Sequence, residues 1–406
     1  MCVARFAGLA FSLLLAGSRC TAQAATPPVV AAQRQTALSL EQQGSYPAAE
    51  QAWHAVLNSN PRYAEAYAHL GLIAARQENY KEAIPLYRKA LALGPDLPGV
   101  HLNLGLALFK GGYPKEAIPE FAHVLKSPDA TKDDAFRARL LIGMAHYGQG
   151  EYAEAVPFLK QAAASDAGNL SVRLVLAHSC LWSKQNQCVL DIYKEILAIN
   201  PESAEADMLA GEALDGMKDN DGATKMFRAA VAANPKEPNV HFGLGYLLWT
   251  QKQYPEAASE FQAELANDPQ HAQAMLYLGD ALVQLDKPAD ARPLLARAIA
   301  IDPTLWLGQL DLGIIDSDAG RNDDALRELQ SAESQKQDDV NIHWRLARLY
   351  RALGRKDEAK AEFDKASKLN KAADDDLFKK ISGGQQKPPA DAGAPQQSAP
   401  APAAPQ

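Results

Sequence analysis

Apolar residues recur along this chain at three- and four-residue spacing, in blocks that come in pairs. Residues 64–97, AEAYAHLGLIAARQENYKEAIPLYRKALALGPDL, hold one such pair, with the polar RQEN segment between its blocks. That spacing predicts two short amphipathic helices joined by a turn. Tyr67, Leu70, Tyr87 and Ala90 fall on the buried side, and Gly71 and Ala83 are small enough to let the two helices approach closely. Pro95 cannot continue the second helix, because it lacks an N–H and its ring clashes with the preceding turn. A lone hairpin of this kind cannot bury its apolar face, but stacked hairpins bury a continuous core.

The block recurs with a 34-residue period. With Ala64 as position 1, Leu70 and Gly71 stand at positions 7 and 8, and Tyr80, Ala83, Tyr87, Ala90 and Pro95 at 17, 20, 24, 27 and 32. Residues 30–63 precede it in register, through Ala37, Gly44, Tyr46, Ala49, Trp53 and Pro61. Residues 98–131 follow, with Gly105, Ala117 and Phe121 in place and Tyr113 one position early. Lys132–Ala135 then interrupt the beat and are expected to lengthen a polar inter-repeat turn. Further repeats span 136–169, 170–203, 204–237, 238–271, 272–305, 306–339 and 340–373. Gly143, Gly211, Gly245, Gly279 and Gly313 mark position 8, and Ala155, Ala223, Ala257, Ala291, Ala325 and Ala359 mark position 20. The fifth repeat departs most, with Ala177 for glycine and Val189 for alanine.

This pattern resembles the tetratricopeptide repeat, W-x2-L-G-x2-Y followed by Ala, an aromatic and Pro, and the resemblance covers residues 30–373. It implies an all-α, right-handed solenoid of ten helix–turn–helix repeats whose first helices line a concave groove that binds a protein or peptide. Position 9 of the first three repeats is Leu38, Leu72 and Leu106. The asparagine of the Lys/Asn/Arg clamp by which some members hold acidic C-termini is therefore missing.

The ends differ from the repeats. Residues 1–24 read as an export signal, with Arg5 at the start, an apolar run over 6–16 and the cleavage triplet Ala22-Gln23-Ala24. The apolar run is too short to span a membrane, and Arg19 before Cys20 is wrong for a lipid-attachment site. Residues 25–29 form a short linker. Ala373–Ile381 is expected to add a polar capping helix, with Asp374–Asp376 at its start and Lys379–Lys380 at its end. Residues 382–406, rich in Pro, Ala and Gln, lack any helical period and read as a disordered tail.

The chain is 47% hydrophobic and 22% charged, as a folded protein requires. Removing the signal takes Arg5 and Arg19, which leaves 39 basic against 49 acidic residues, a net charge of −10. Such an acidic chain is a poor partner for nucleic acid, and no transmembrane segment follows the signal. The expected location is outside the cytosol, in the Gram-negative periplasm.

Family positions 2, 5, 9, 12 and 13 carry the groove residues over to this chain. They give Phe109, Tyr147, Trp182, Phe242, Tyr246 and Trp249 in the middle repeats and Trp344, Arg348 and Arg351 near the end. Either these aromatics meet a ligand as hot spots, or they pack against neighbouring repeats. Packing is the expectation for Leu102, Leu140, Leu174 and Met208. Cys180 and Cys188 lie on opposite helices of the fifth repeat near its turn, and in an oxidising compartment two such neighbours are expected to pair. With His178 beside them, a metal site is the weaker alternative. No H-E-x-x-H, G-x-S-x-G, P-loop or G-x-G-x-x-G motif occurs, and the repeats leave no stretch for a catalytic domain.

The reading is thus a non-catalytic exported scaffold with no cofactor and no metal, binding a protein or peptide in its groove. The alternatives are a component of an envelope assembly or exopolysaccharide-export complex and, last, an enzyme or glycan-binding protein.

Overall fold

A computed structural model describes residues 27–381, with side chains to residue 374. The expected signal (1–24) and tail (382–406) lie outside the described residues, as do residues 25 and 26 of the linker. The described residues form twenty helices and no strand, in ten antiparallel hairpins. The first hairpins are α1 (Pro28–Gln42) with α2 (Tyr46–Ser59), α3 (Ala64–Arg76) with α4 (Tyr80–Leu93), and α5 (Val100–Lys110) with α6 (Pro114–Lys126). Next come α7 (Lys132–Gly148) with α8 (Tyr152–Ser165), α9 (Leu170–Trp182) with α10 (Asn186–Ile199), and α11 (Ala204–Gly216) with α12 (Asn220–Ala233). The last four are α13 (Val240–Thr250) with α14 (Tyr254–Asn267), α15 (Ala272–Gln284) with α16 (Pro288–Ile301), α17 (Trp306–Asp318) with α18 (Asn322–Gln335), and α19 (Val340–Ala352) with α20 (Lys356–Ile381).

The hairpins fall into two compact units, which divide after Asn234. Within each unit, every second helix packs on the first helix of the next hairpin, and successive first helices also touch. First helices therefore line one face of each unit, in an all-α solenoid arrangement.

One contact recurs inside the hairpins. The glycine at position 8 lies under the side chain at position 24. A Cβ built on Gly71, Gly105, Gly211 or Gly245 would come within 2.9 Å of Tyr87, Phe121, Phe227 or Phe261. On Gly143, Gly279 or Gly313 it would come within 2.6 Å of Leu159, Leu295 or Leu329. Glycine thus lets each large side chain rest on helix backbone, where Tyr87, Phe121, Leu159, Phe261, Leu295 and Leu329 are wholly buried. Three repeats have alanine at position 8: with Ala177 and Ala347 the ring at position 24, Tyr193 or Phe363, is half-buried, whereas with Ala37 the ring, Trp53, is wholly buried.

The turns share a second feature. Position 15 of every repeat has a left-handed backbone. It is glycine at Gly44, Gly112, Gly150, Gly320 and Gly354, but Glu78, Lys184, Lys218, Lys252 and Asp286 elsewhere. Past the second helix, Pro61, Pro95, Pro201, Pro235, Pro269 and Pro303 each follow the residue that ends it, so that the helix cannot continue.

Two expectations need correction. Lys132–Ala135 do not lengthen a turn; they add one helical turn to the start of α7. Thr131 caps it: its hydroxyl accepts from the Asp134 N–H at 3.0 Å, and the Asp134 carboxylate accepts from the Thr131 N–H at 3.2 Å. Ala373–Ile381 is not a separate helix but the end of the 26-residue α20. Position 32 is Lys371 in this repeat, and no Pro or Gly breaks the run from Lys356 to Ile381.

Two outcomes follow for chemical denaturation. Gly105→Ala forces a methyl into the ring of Phe121 and lowers stability by about 1–3 kcal/mol, the usual cost of overpacking. Lys218→Gly relieves a left-handed residue at φ 67° and raises stability by up to about 1 kcal/mol.

Candidate functional site: aromatic clusters on the first helices

In the first unit Trp182, Tyr147 and Tyr152 cluster where α7, α8 and α9 meet; the unit's other exposed large aromatic, Tyr113, stands apart before α6. The Trp182 indole stacks on Tyr147 with centroids 5.7 Å apart and meets Tyr152 at 4.7 Å. His178, one turn earlier on α9, lies 5.2 Å from the same indole, and its Nε2 is 2.9 Å from Glu205 Oε1 on α11. Trp182 remains 47% exposed. It sits within the loop closed by a disulfide: Cys180, wholly buried on α9, is bonded to Cys188 on α10, with Cα atoms 5.9 Å apart. The bond spans the turn that follows Trp182 and restrains it. His178 makes a carboxylate contact rather than joining the two sulfurs in a metal site.

In the second unit, α13 presents Phe242, Tyr246 and Trp249 to Tyr277 on α15. Tyr246 and Trp249 stack at 5.9 Å, and Tyr277 meets both edge-on, at 5.1 and 4.9 Å. Phe242 stacks on His271 at 4.8 Å. Tyr246 is the exposed member at 41%, whereas Phe242 and Trp249 are half-buried. Burial and the neighbouring Tyr246 push the Tyr277 hydroxyl up to about 12. Beneath the rings, the Trp249 indole N–H donates to the Asp280 carboxylate. Asp280 lies close to Asp311 on α17, and both carboxyls are buried, Asp311 Oδ2 without a hydrogen-bond partner. Burial raises both from the ordinary carboxylate range, most for Asp311, which also faces the charge of Asp280. Two carboxyl groups this close oppose each other's ionisation.

Trp344 on α19 is 44% exposed and meets Phe363 edge-on at 4.9 Å. Arg348 and Arg351 are exposed on the same helix. Phe109 is half-buried against the core of its hairpin and the adjoining ones. The aromatics singled out from the sequence therefore separate into exposed rings (Trp182, Tyr246, Trp344) and rings that support or pack (Phe109, Tyr147, Phe242, Trp249). Sequence reasoning missed Tyr152, Tyr277, His271 and the Asp280–Asp311 pair. Asp280 stands at position 9, a groove position, so an inventory of that position across all repeats points to it.

The comparisons with known proteins agree with this architecture. Tetratricopeptide-repeat models match residues 34–98, 102–169, 208–271, 243–305 and 317–377. The chain belongs to the tetratricopeptide-repeat family, whose members are generally non-catalytic scaffolds for protein–protein interaction. No curated protein matches it. Solved structures similar to it include YrrB, a tetratricopeptide protein with an unusual peptide-binding site (20% identity, 44% of this chain and 91% of that one, TM-score 0.39). MamA is 23% identical over 40% of this chain and 95% of its own, with a TM-score of 0.37. PilF of Pseudomonas aeruginosa is 16% identical over 53% of this chain and 93% of its own, with a TM-score of 0.44. No helix of the described residues is long and apolar enough to cross a membrane.

The acid pair yields a pH dependence with a defined sign. Asp311 holds a proton in the fold that the unfolded chain releases above its ordinary value of 3.8. Its stabilising effect is full below that value and is lost as pH rises through the raised folded value. Asp311→Asn supplies a neutral donor to Asp280. In denaturant titrations from pH 4 to 9, the decline in wild-type stability with rising pH becomes shallower in this variant.

Proposed function

We propose that this protein is an exported, non-catalytic scaffold that binds extended or helical segments of a partner protein on the face that first helices line in each unit. One observation carries the reading: Trp182, Tyr246 and Trp344 leave 41–47% of their surface open to solvent, and all three lie on first helices. They stand at positions 13, 9 and 5 of their repeats, which face the groove in the family. The exposed large side chains on second helices, Ile199 and Ile301, are aliphatic, and the exposed Tyr113 lies in the turn before α6. Tyrosine and tryptophan combine large apolar area with a polar tip and few rotatable bonds, and they dominate binding energy at interfaces.

The supporting rings give the exposed ones fixed orientations. Tyr147 and Tyr152 brace Trp182, and the Cys180–Cys188 bond restrains the turn behind it. Tyr277 and Trp249 brace Tyr246, with Trp249 itself anchored on Asp280. Pre-organised side chains lose little freedom on binding, so many weak contacts along a stack of repeats add up to useful affinity. The leader pattern of residues 1–24 and the paired cysteines both support an oxidising compartment outside the cytosol. The partner is accordingly an envelope protein or a peptide within that compartment.

Affinity capture from envelope extract tests this reading, with wild type compared against Trp182→Ala and Tyr246→Ala. The expected result is a partner retained by wild type and weakened at least about tenfold by either substitution, the effect of truncating an aromatic hot spot, with helical circular dichroism unchanged. Equal recovery on wild type and both variants contradicts the assignment of these rings.

A further inference from the structure

Three hairpins set a histidine at position 4 of the first helix against a glutamate at position 23 of the second. His101 Nδ1 lies 2.7 Å from Glu120 Oε2, His241 Nδ1 lies 2.6 Å from Glu260 Oε2, and His343 Nδ1 lies 2.6 Å from Glu362 Oε2. The last pair has additions that make it a different kind of site. The His343 side chain is 2% exposed, and its Nε2 lies 2.9 Å from the backbone oxygen of Gln337, an acceptor only. Nε2 therefore carries a proton and donates it, and in the neutral ring Nδ1 is the nitrogen with the free lone pair. Nδ1 faces two carboxyl groups, and its 2.6 Å contact with Glu362 is bridged by a proton. Glu362 comes from α20 in the same hairpin, and Glu333 comes from α18 in the preceding one, with its Oε1 3.8 Å from Nδ1. Among the described residues, this is the one group of three such side chains whose donor atoms lie within 4.8 Å of one another.

A cation already sits against these carboxylates. The Lys365 ammonium is 2.7 Å from Glu333 Oε1 and 2.8 Å from Glu362 Oε1. Its side chain is 48% exposed, so it can swing into solvent without disturbing the core. The remaining arrangement is an imidazole nitrogen and two carboxylates from three helices, with the outer imidazole N–H held by a backbone carbonyl. Metal-bound histidines are oriented in this way, since the outer hydrogen bond fixes the tautomer and raises the basicity of the ligating nitrogen.

We propose that Glu333, His343 and Glu362 form a binding site for a divalent transition-metal ion of the zinc type. The mixed nitrogen and oxygen donors suit zinc rather than calcium, which takes only oxygen ligands. Donors of a tetrahedral zinc site stand about 3.3 Å apart at bond lengths near 2.0 Å. The 2.6 and 3.8 Å separations here bracket that spacing, so shifts of side-chain torsions suffice to close the site. The ion displaces the Lys365 ammonium and the proton shared between His343 and Glu362, which is released to solvent. Three protein ligands leave a fourth position for water. Because Glu333 belongs to the ninth hairpin and the other two ligands to the tenth, a bound ion ties the last hairpin to the stack.

The test is calorimetric titration of the chelator-stripped full chain with Zn2+, together with visible spectra of the chain with Co2+ as a probe of coordination. The expected results are one equivalent of Zn2+ bound by wild type and a Co2+ ligand-field band that is lost in His343→Gln. Affinity falls at least about tenfold in His343→Gln, and rises about tenfold in Lys365→Met, where the competing ammonium is gone. Should His343→Gln fail to fold, Glu333→Gln decides by the same fall in affinity, since Glu333 is outside the core at 25% exposure. Absence of stoichiometric binding in wild type overturns the proposal. So does binding unchanged in the folded ligand variants, which would place the ion on other histidines.

Discussion

The structure depends on one contact, made again in hairpin after hairpin: a large side chain on the second helix rests on the bare backbone of a glycine in the first. In seven hairpins the missing Cβ at position 8 lets the ring or leucine at position 24 rest directly on helix backbone. Seven of the ten hairpins obtain a core of their own in this way, small but closely packed, and the other three do so over an alanine. Such a core is too small to stand alone, so the apolar sides left over must be covered by the next hairpin. The 34-residue beat of the sequence records this geometry, and it explains why glycine, alanine and one ring or leucine recur at fixed positions while the rest of the chain varies freely.

That division leaves the first helices free to carry other chemistry. Their inner positions hold the packing residues, and their outer positions present Trp182, Tyr246 and Trp344 to solvent. The second unit shows what such a surface requires beneath it. The indole of Trp249 must place its N–H, and it does so on Asp280, a buried carboxyl that lies close to the buried Asp311. Buried acids of this kind are a cost to stability at neutral pH. Here the cost is tied to the orientation of the rings above them, an example of stability exchanged for a defined surface.

Much of the architecture was legible because it rests on periodic constraints. Gly71, Ala83 and Pro95 each act through local sterics, and their recurrence marks the helices and turns directly. The misread segments are those where a local signal competes with the beat. Lys132–Ala135 look like a polar loop by composition, yet Thr131 and Asp134 make a helix cap of them. Asp374 looks like a helix start, yet α20 runs through it, with Lys371 in place of the proline that follows six other second helices and no Gly or Pro up to Ile381. The candidate site was legible only in part. Groove positions identify which side chains face outward in an average repeat, but whether a ring is exposed depends on its neighbours. Trp249 and Tyr246 share one helix and one periodic pattern; the carboxyl of Asp280, 31 residues beyond Trp249, and the ring of Tyr277 hold the first as a support.

The central claim, that the first-helix rings are the contact surface, is tested most directly by hydroxyl-radical footprinting of the full chain with and without its captured partner. The account predicts that oxidation of Trp182, Tyr246 and Trp344 is strong in the free protein and suppressed in the complex, while the buried Trp53 stays unreactive in both. A complex in which all three rings oxidise as in the free protein, with protection confined to the second helices or to residues 382–406, contradicts it.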